Sequence, residues 1–285
     1  MLNCIKMDLY RMFRMRSFYV IWIILIAATI FTTAMSVVDY NMVQEEIRQD
    51  PQAFEENADA EVEEPVNLGM TVTLPTQPGE KVTVFDQVYA NLCGKFIALF
   101  LVIFTILFST ADISSGYIKN IGGQMRNRGN LVLSKATVLF FYTVLTMLLY
   151  LIVQTVAQVA FFHSLDFGAV KDFAAYLMTQ TMLHYALALI CMAVSIIIRN
   201  NVCSMTLAIL LCMNVLVIVY SAIDKAVGRI GVKDFALIRY TVTGKISLLS
   251  MAPTDHECMT ALIIAISFGA AAVILSSQIF RKRDI

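Results

Sequence analysis

The sequence predicts an all-helical integral membrane protein with six transmembrane helices, and three observations predict it. Of 285 residues, 59% are hydrophobic and only 15% charged, at mean hydropathy +0.74, so a water-soluble globule would lack the polar surface to cover itself. Six apolar runs reach the ~20 residues that a helix rising ~1.5 Å per residue needs to cross ~30 Å of hydrocarbon. The formal net charge is zero, which argues against a nucleic-acid partner, yet the charges are sorted along the chain. Helices rather than a barrel follow because the runs lack period-two alternation, and lipid tolerates no other backbone with unpaired polar groups.

In chain order, residues 1–17 form an amphipathic interfacial helix. Leu2, Ile5, Leu9, Met12 and Phe13 share one face of a helical wheel, and Lys6, Tyr10, Arg11 and Arg14 spread over the other. Such a helix lies in the inner interface with its basic side toward anionic headgroups. Residues 18–38 are the first span; the run is too long and too poor in a small-x-small cleavage site for a signal peptide. Residues 39–90 form a polar acidic extracellular domain, with twelve acids against Arg48 and Lys81. Pro65, Pro75 and Pro78 beside alternating Val72, Leu74, Val82 and Val84 predict a short extended hairpin after an acidic helix.

The second span is 91–111 and contains the single formal charge within the six runs, Lys95, expected to snorkel to the outer headgroups near Asn91. A basic loop at 112–135 leads to the third span, 136–162, and short links join the fourth, 173–198, to its neighbours. The fifth span is 202–222. Residues 223–257 form an extracellular segment in which 235–238 and 246–251 are apolar enough to dip back into the interface as a re-entrant element. The sixth span, 259–280, ends in a cytoplasmic tail, 281–285.

Charge sorting sets the orientation. With the N-terminus inside, the inner segments carry twelve basic and three acidic residues, a net of +9, and the outer segments carry nine basic and eighteen acidic, a net of −9. Short inner loops rich in Lys and Arg are what cytoplasmic placement of both termini requires. The six cysteines, at 4, 93, 191, 203, 212 and 258, form no C-x-x-C pair, and neither a disulfide framework nor a zinc site is indicated.

The loop Asp112-Ile-Ser-Ser-Gly-Tyr-Ile-Lys-Asn-Ile-Gly-Gly-Gln-Met-Arg-Asn-Arg-Gly-Asn-Leu-Val-Leu-Ser-Lys135 is the most informative stretch. An acid ends a span, Gly122, Gly123 and Gly129 permit tight turns, Lys119, Arg126 and Arg128 hold the loop on the cytoplasmic side, and apolar sequence resumes. A short helix lying across the membrane surface fits that pattern. The loop resembles that of the permease subunits of ABC-2 type exporters, which runs as acid, three residues, Gly-Thr-aliphatic-Lys-Asn-aliphatic, then Pro-x-x-Arg, then Gly-Lys opening the third span. Asp112, Gly116, Ile118-Lys119-Asn120-Ile121, Arg128 and Lys135 match in one register; Tyr117, Met125 and Ser134 depart from it. The ending Phe280-Arg281-Lys282-Arg283-Asp284-Ile285 is similar to the family's aromatic-basic-Asp terminus.

The resemblance implies that the loop is a cytoplasmic coupling helix seated on an ATPase subunit, through Asp112, Gly116, Lys119, Arg126 and Arg128. It implies a permease subunit of a bacterial cytoplasmic membrane, without enzymatic activity of its own, that works with two copies of an ABC ATPase and a second permease chain, the same or different. ATP and Mg would then bind the partner and no cofactor this chain. No G-x-x-x-x-G-K-[ST] occurs here; the nearest stretch, Gly228-Arg-Ile-Gly-Val-Lys233, lacks the spacing. An acidic outer face and Met- and Phe-rich spans suit export or clearance of an amphipathic, cationic peptide, with lipid or a small drug as competing substrates.

Polar residues within the spans have two open readings. Gln154 and Gln158 lie one turn apart on the third span, Gln180 and His184 on the fourth, and Asn214 is in the fifth. They line a substrate path, or they bond helix to helix at about 0.6 kcal/mol apiece. A proton- or sodium-driven transporter would need more ionisable groups at mid-bilayer than His184. An intramembrane enzyme would need a nucleophile with its base or a metal set, and His163, His184 and His256 are isolated. A membrane-anchored sensor with an acidic ligand-binding domain is the remaining alternative; it would have no use for a coupling helix.

Overall fold

A computed structural model describes residues 2–49, 74–76, 80–114, 129–213, 215–229 and 236–282, and every regular element among them is helical. In order these are α1 (Leu2–Arg14), α2 (Arg16–Gln49), α3 (Val84–Cys93), α4 (Phe96–Ser114), α5 (Gly129–Phe162), α6 (Val170–Ile198), α7 (Asn201–Cys212), α8 (Leu216–Arg229), a 3-10 turn (Leu237–Tyr240), α9 (Val242–Leu248) and α10 (Asp255–Lys282). Four of them, α2, α5, α6 and α10, are long and apolar enough to cross a membrane, and the bent pairs α3–α4 and α7–α8 raise the number to six if each is one span. This is the layout of a multi-pass membrane protein.

The distribution of side chains is that of a lipid-facing bundle. Ile23, Ile152 and Ile266 are each more than 60% exposed, on outward faces that continue through Phe31, Leu148 and Leu275, while Gln154, Gln158, Gln180 and His184 are fully buried. Water would drive the opposite arrangement; hydrocarbon outside makes apolar side chains indifferent to exposure and polar ones costly there. At the centre α6 packs against α10, α4, α5, α7 and α9. Phe18, Phe104 and Tyr142 interlock α2, α4 and α5, with the Phe104 and Tyr142 rings stacked at 3.9 Å between centroids.

Several boundaries differ from the sequence reading, each for a local reason. Helix α2 continues past residue 38 to Gln49, since nothing from Asp39 to Gln49 breaks a helix. The stretch 84–90, read as part of the acidic domain with a strand at Val82 and Val84, opens α3 instead. Thr83 caps that helix by accepting from Asp86 N at 3.1 Å, while the Asp86 carboxylate accepts from Thr83 N at 2.7 Å, a reciprocal capping box. Of the other half of the expected hairpin, Leu74 is in no strand and Val72 lies outside the described residues, as does most of the acidic segment.

The runs expected as the second and fifth spans are each a pair of helices joined at a bend, not single helices. Helices α3 and α4 meet at 52° across Gly94 and Lys95, the latter in left-handed backbone at φ +60°, and α7 and α8 meet at 66°. The loop read as 112–135 is shorter, because α5 begins at Gly129. In the segment 223–257, α8 runs on to Arg229, and α9 is the element that turns back into the bundle. Val242 and Ile246 of α9 are buried in one cluster with Leu183 and Leu187 of α6 and Ala261 and Ala265 of α10.

Candidate functional site

Two polar constellations stand out. The first lies where α1 meets α5, at the end of the bundle that carries the loop. Met12 is fully buried and Ile5 and Leu9 pack beside it, whereas Leu2 and Phe13 stay exposed, so the buried stripe of α1 is rotated from the expected one and includes Asp8. Ser134 Oγ donates to the Asp8 carboxylate at 2.5 Å. The next residue, Lys135, is buried with its ammonium 4.8 Å from the centre of the Phe108 ring, within electrostatic reach of Asp8 and Arg11. Ser134, where the resemblance leads one to expect glycine, thus has a partner of its own. Asp112 stands in the last turn of α4, and Gly129 opens α5, so the two helices flank the loop. Gly116, Lys119, Arg126 and Arg128 lie outside the described residues.

The second constellation fills the middle of the bundle and can be followed bond by bond. Thr29 Oγ1 donates to Leu25 O at 2.8 Å and Thr33 Oγ1 to Thr29 O at 2.9 Å. With its proton so used, the Thr33 oxygen accepts from Gln154 Nε2 at 3.1 Å, and Gln154 Oε1 accepts from Asn91 Nδ2 at 3.4 Å. Asn91 Nδ2 also donates to the Tyr150 hydroxyl at 3.0 Å. One turn along α5, Gln158 Nε2 donates to Val82 O at 2.7 Å. On α6, Gln180 Nε2 donates to Tyr176 OH at 3.1 Å and to Ile246 O of α9 at 2.9 Å, and His184 Nδ1 lies 2.8 Å from Gln180 O. A carbonyl only accepts, so Nδ1 carries the imidazole proton and Nε2 presents a lone pair.

These bonds tie α2, α3 and α5 in one row and α6 and α9 in another, and two bonds between Cys93 of α3 and Ser247 of α9 join the rows. Of the residues named from sequence as a substrate path, Gln154, Gln158, Gln180 and His184 are therefore in one buried region, and Asn214 lies outside the described residues. Lys95 does not snorkel outward. The bend between α3 and α4 turns it into the bundle, 2% exposed, within reach of His184 and of Cys93 and Cys212.

Sequence reasoning missed Asp8, Ser134, Gln87, Thr33 and Tyr150. An acid on the same helical stripe as Ile5 and Met12 was the available sign for Asp8, and the one-turn spacing of Gln87 and Asn91 was the sign for the α3 face. Among the described residues no group of three or more His, Cys, Asp or Glu side chains is placed to hold a metal. Neither a protein-family model nor a curated protein matches the chain, so its likeness to ABC-2 permeases rests on the residues of the loop and the C-terminal tail.

Proposed function

We propose that the chain is the transmembrane permease subunit of an ABC exporter, with six spans, both termini cytoplasmic, and the 112–128 segment serving as coupling helix to a separate ATPase. The observation that carries this reading is the register match from Asp112 to Lys135, in a segment bounded by two apolar helices, α4 and α5. In this reading two ATPase subunits close on ATP and Mg, the coupling segments of two permease chains follow, and the helix pairs change which side they open to. The membrane is a bacterial cytoplasmic membrane. The acidic residues between α2 and α3 form the extracellular domain, and the exported molecule is an amphipathic, cationic peptide, with lipid or a small drug as rivals.

The test is co-purification from membranes through a tag on this chain, with ATPase activity measured for the native sequence and for Arg128→Glu. Reversing a charge at a protein interface costs several kcal/mol, enough to lower occupancy by about a hundredfold or more. The expected result is a P-loop ATPase that the reversal releases or silences. Recovery of the chain alone, or with an ATPase indifferent to Arg128, would end this reading. The twelve acids of residues 39–90 would then favour a sensor with an extracellular ligand-binding segment.

Orientation has its own check. Cys203 is exposed in the first turn of α7, next to the short link that the permease reading puts inside. A variant keeping Cys203 as its sole cysteine should react with a membrane-impermeant maleimide in inside-out vesicles and not in intact cells. The opposite labelling would put the 112–128 segment outside, where no ATPase can reach it.

A further inference from the structure

Docking of α1 on α5 leaves the opposite side of α1 outside the bundle, and that side is sorted by polarity. Going round the helix at about 100° per residue, the buried arc holds Asp8, Met12 and Ile5. The exposed arc starts at Leu2 and Phe13 and runs through Lys6 and Tyr10 to Asn3 and Arg14. Asp8 is the only acid before Asp39, and its carboxylate is turned inward to Ser134. The exposed arc of α1 is therefore cationic and carries no acid. Its apolar edge suits hydrocarbon: Leu2 is 66% exposed and Phe13 42%, which is costly in water and neutral in lipid. The Phe13 ring meets the buried Phe18 ring edge-on at 5.4 Å, and Tyr19 meets the same ring at 5.1 Å. The lip of α1 thus runs on into Tyr19, Val20 and Ile23, the exposed start of α2.

An apolar edge beside a cationic one is the profile of a helix lying at headgroup depth. Arg14 Nη1 donates to the Tyr10 hydroxyl oxygen at 3.1 Å, with the guanidinium 6.0 Å from the centre of the Tyr10 ring. That leaves the hydroxyl proton and the remaining guanidinium N–H groups for a further acceptor. Lys6 lies one turn from Tyr10 on the same stripe, about 6 Å away along the helix. A phosphodiester suits this spacing, since it carries one negative charge and two free oxygens that a guanidinium fork grips in pairs. We propose that Lys6, Tyr10 and Arg14 form a binding site for the phosphodiester of an anionic phospholipid, with Leu2 and Phe13 against its acyl chains. A soluble acidic protein would answer the two charges but not the apolar lip that runs on to α2. The site needs neither an ATPase nor an exported molecule, so it stands apart from the exporter reading.

Native mass spectrometry of the full chain tests it, with dioleoyl-phosphatidylglycerol and dioleoyl-phosphatidylcholine supplied at equal concentration. Each basic side chain at an anionic headgroup strengthens binding about fivefold, so the first phosphatidylglycerol should bind about twentyfold tighter than phosphatidylcholine. Lys6→Gln and Arg14→Gln should each lower that preference about fivefold. Tyr10→Phe, which changes no charge, should lower it about threefold through the lost hydrogen bond. Arg199→Gln should leave it unchanged, Arg199 being exposed in the link between α6 and α7 at the same end of the bundle. All four side chains are exposed, so the variants should keep the native melting midpoint. Equal binding of the two lipids, a preference untouched by Arg14→Gln, or one lost equally in Arg199→Gln would each overturn the site. Displacement of the lipid by inorganic phosphate would do the same. A co-purified ATPase released by Arg14→Gln with the lipid preference intact would make this face a protein interface instead. A missing ATPase, with the preference present and lost in Arg14→Gln, would end the exporter reading alone.

Discussion

Gly244→Ala should be the most damaging conservative change in the protein. A Cβ at Gly244 would meet the backbone oxygen of Ile238 at 1.9 Å and its carbonyl carbon at 2.7 Å, and backbone cannot swing aside as a side-chain tip can. The glycine is needed here for close approach, since the 3-10 turn Leu237–Tyr240 folds directly onto the first turn of α9. That junction is fixed by Gly244 N donating to Thr241 Oγ1 at 3.1 Å. Restoring van der Waals distance means moving α9, which carries Ile246 O, the acceptor for Gln180, and Ser247, which exchanges two bonds with Cys93 at 3.0 and 3.2 Å. We expect a loss of about 3 kcal/mol, the upper end of overpacking costs. It would be read as a lowered melting midpoint in detergent and as new reactivity of Cys93 toward a thiol reagent. Gly228→Ala is the control: nothing lies within 4 Å of its added Cβ, and in a helix alanine is favoured over glycine by about 1 kcal/mol. A midpoint unchanged in Gly244→Ala would mean that α9 does not sit where the contact requires.

Asp8→Ala should release the N-terminal helix. It removes the acceptor of the Ser134 hydroxyl and a negative charge near the buried Lys135, so a polar group and a cation lose their compensation together. An unsatisfied buried hydroxyl that had faced a carboxylate amounts to about 2–3 kcal/mol. Asp8→Asn keeps an acceptor oxygen and should recover the part due to Ser134. Ser134→Gly, which restores the residue expected from the ABC-2 pattern, should cost little once Asp8 is already alanine. The double variant should then be less destabilised than the sum of the singles, as for two groups that act on each other. Limited proteolysis after Arg11 or Arg14 reports undocking directly. Strict additivity would refute the Asp8–Ser134 contact.

The long helices were legible in the sequence because hydrocarbon imposes a length, and no other element competes for an unbroken apolar run of that size. The breaks were less so. Gly94-Lys95 sits inside an apolar run as glycine beside a charge, a visible interruption whose reading as an outward-snorkelling lysine missed the turn of the chain. The break after Cys212 has neither proline nor glycine to announce it. For α3 the sign was present, Thr83-Val-Phe-Asp86, but the alternating Val82 and Val84 suggested a strand, and a capping box outweighs two valines. The one-turn spacing of Gln154–Gln158 and Gln180–His184 marked the right faces. Their partners are another matter: Val82 O and Ile246 O are backbone atoms far away in sequence, which no side-chain pattern reveals.

The two interruptions also bear on stiffness. Lys95, at the first bend, is within electrostatic reach of Cys212, the last residue before the second, and α4 packs on α7, so the two bends lie side by side. A continuous helix resists flexure along its whole ladder of backbone bonds, but a rod severed by a short turn yields there first. Two rods notched side by side amount to a pivot. On the α3 side that pivot is clamped: a change of angle there would have to break the bonds of Asn91 to Tyr150 and Gln154 and those of Cys93 to Ser247.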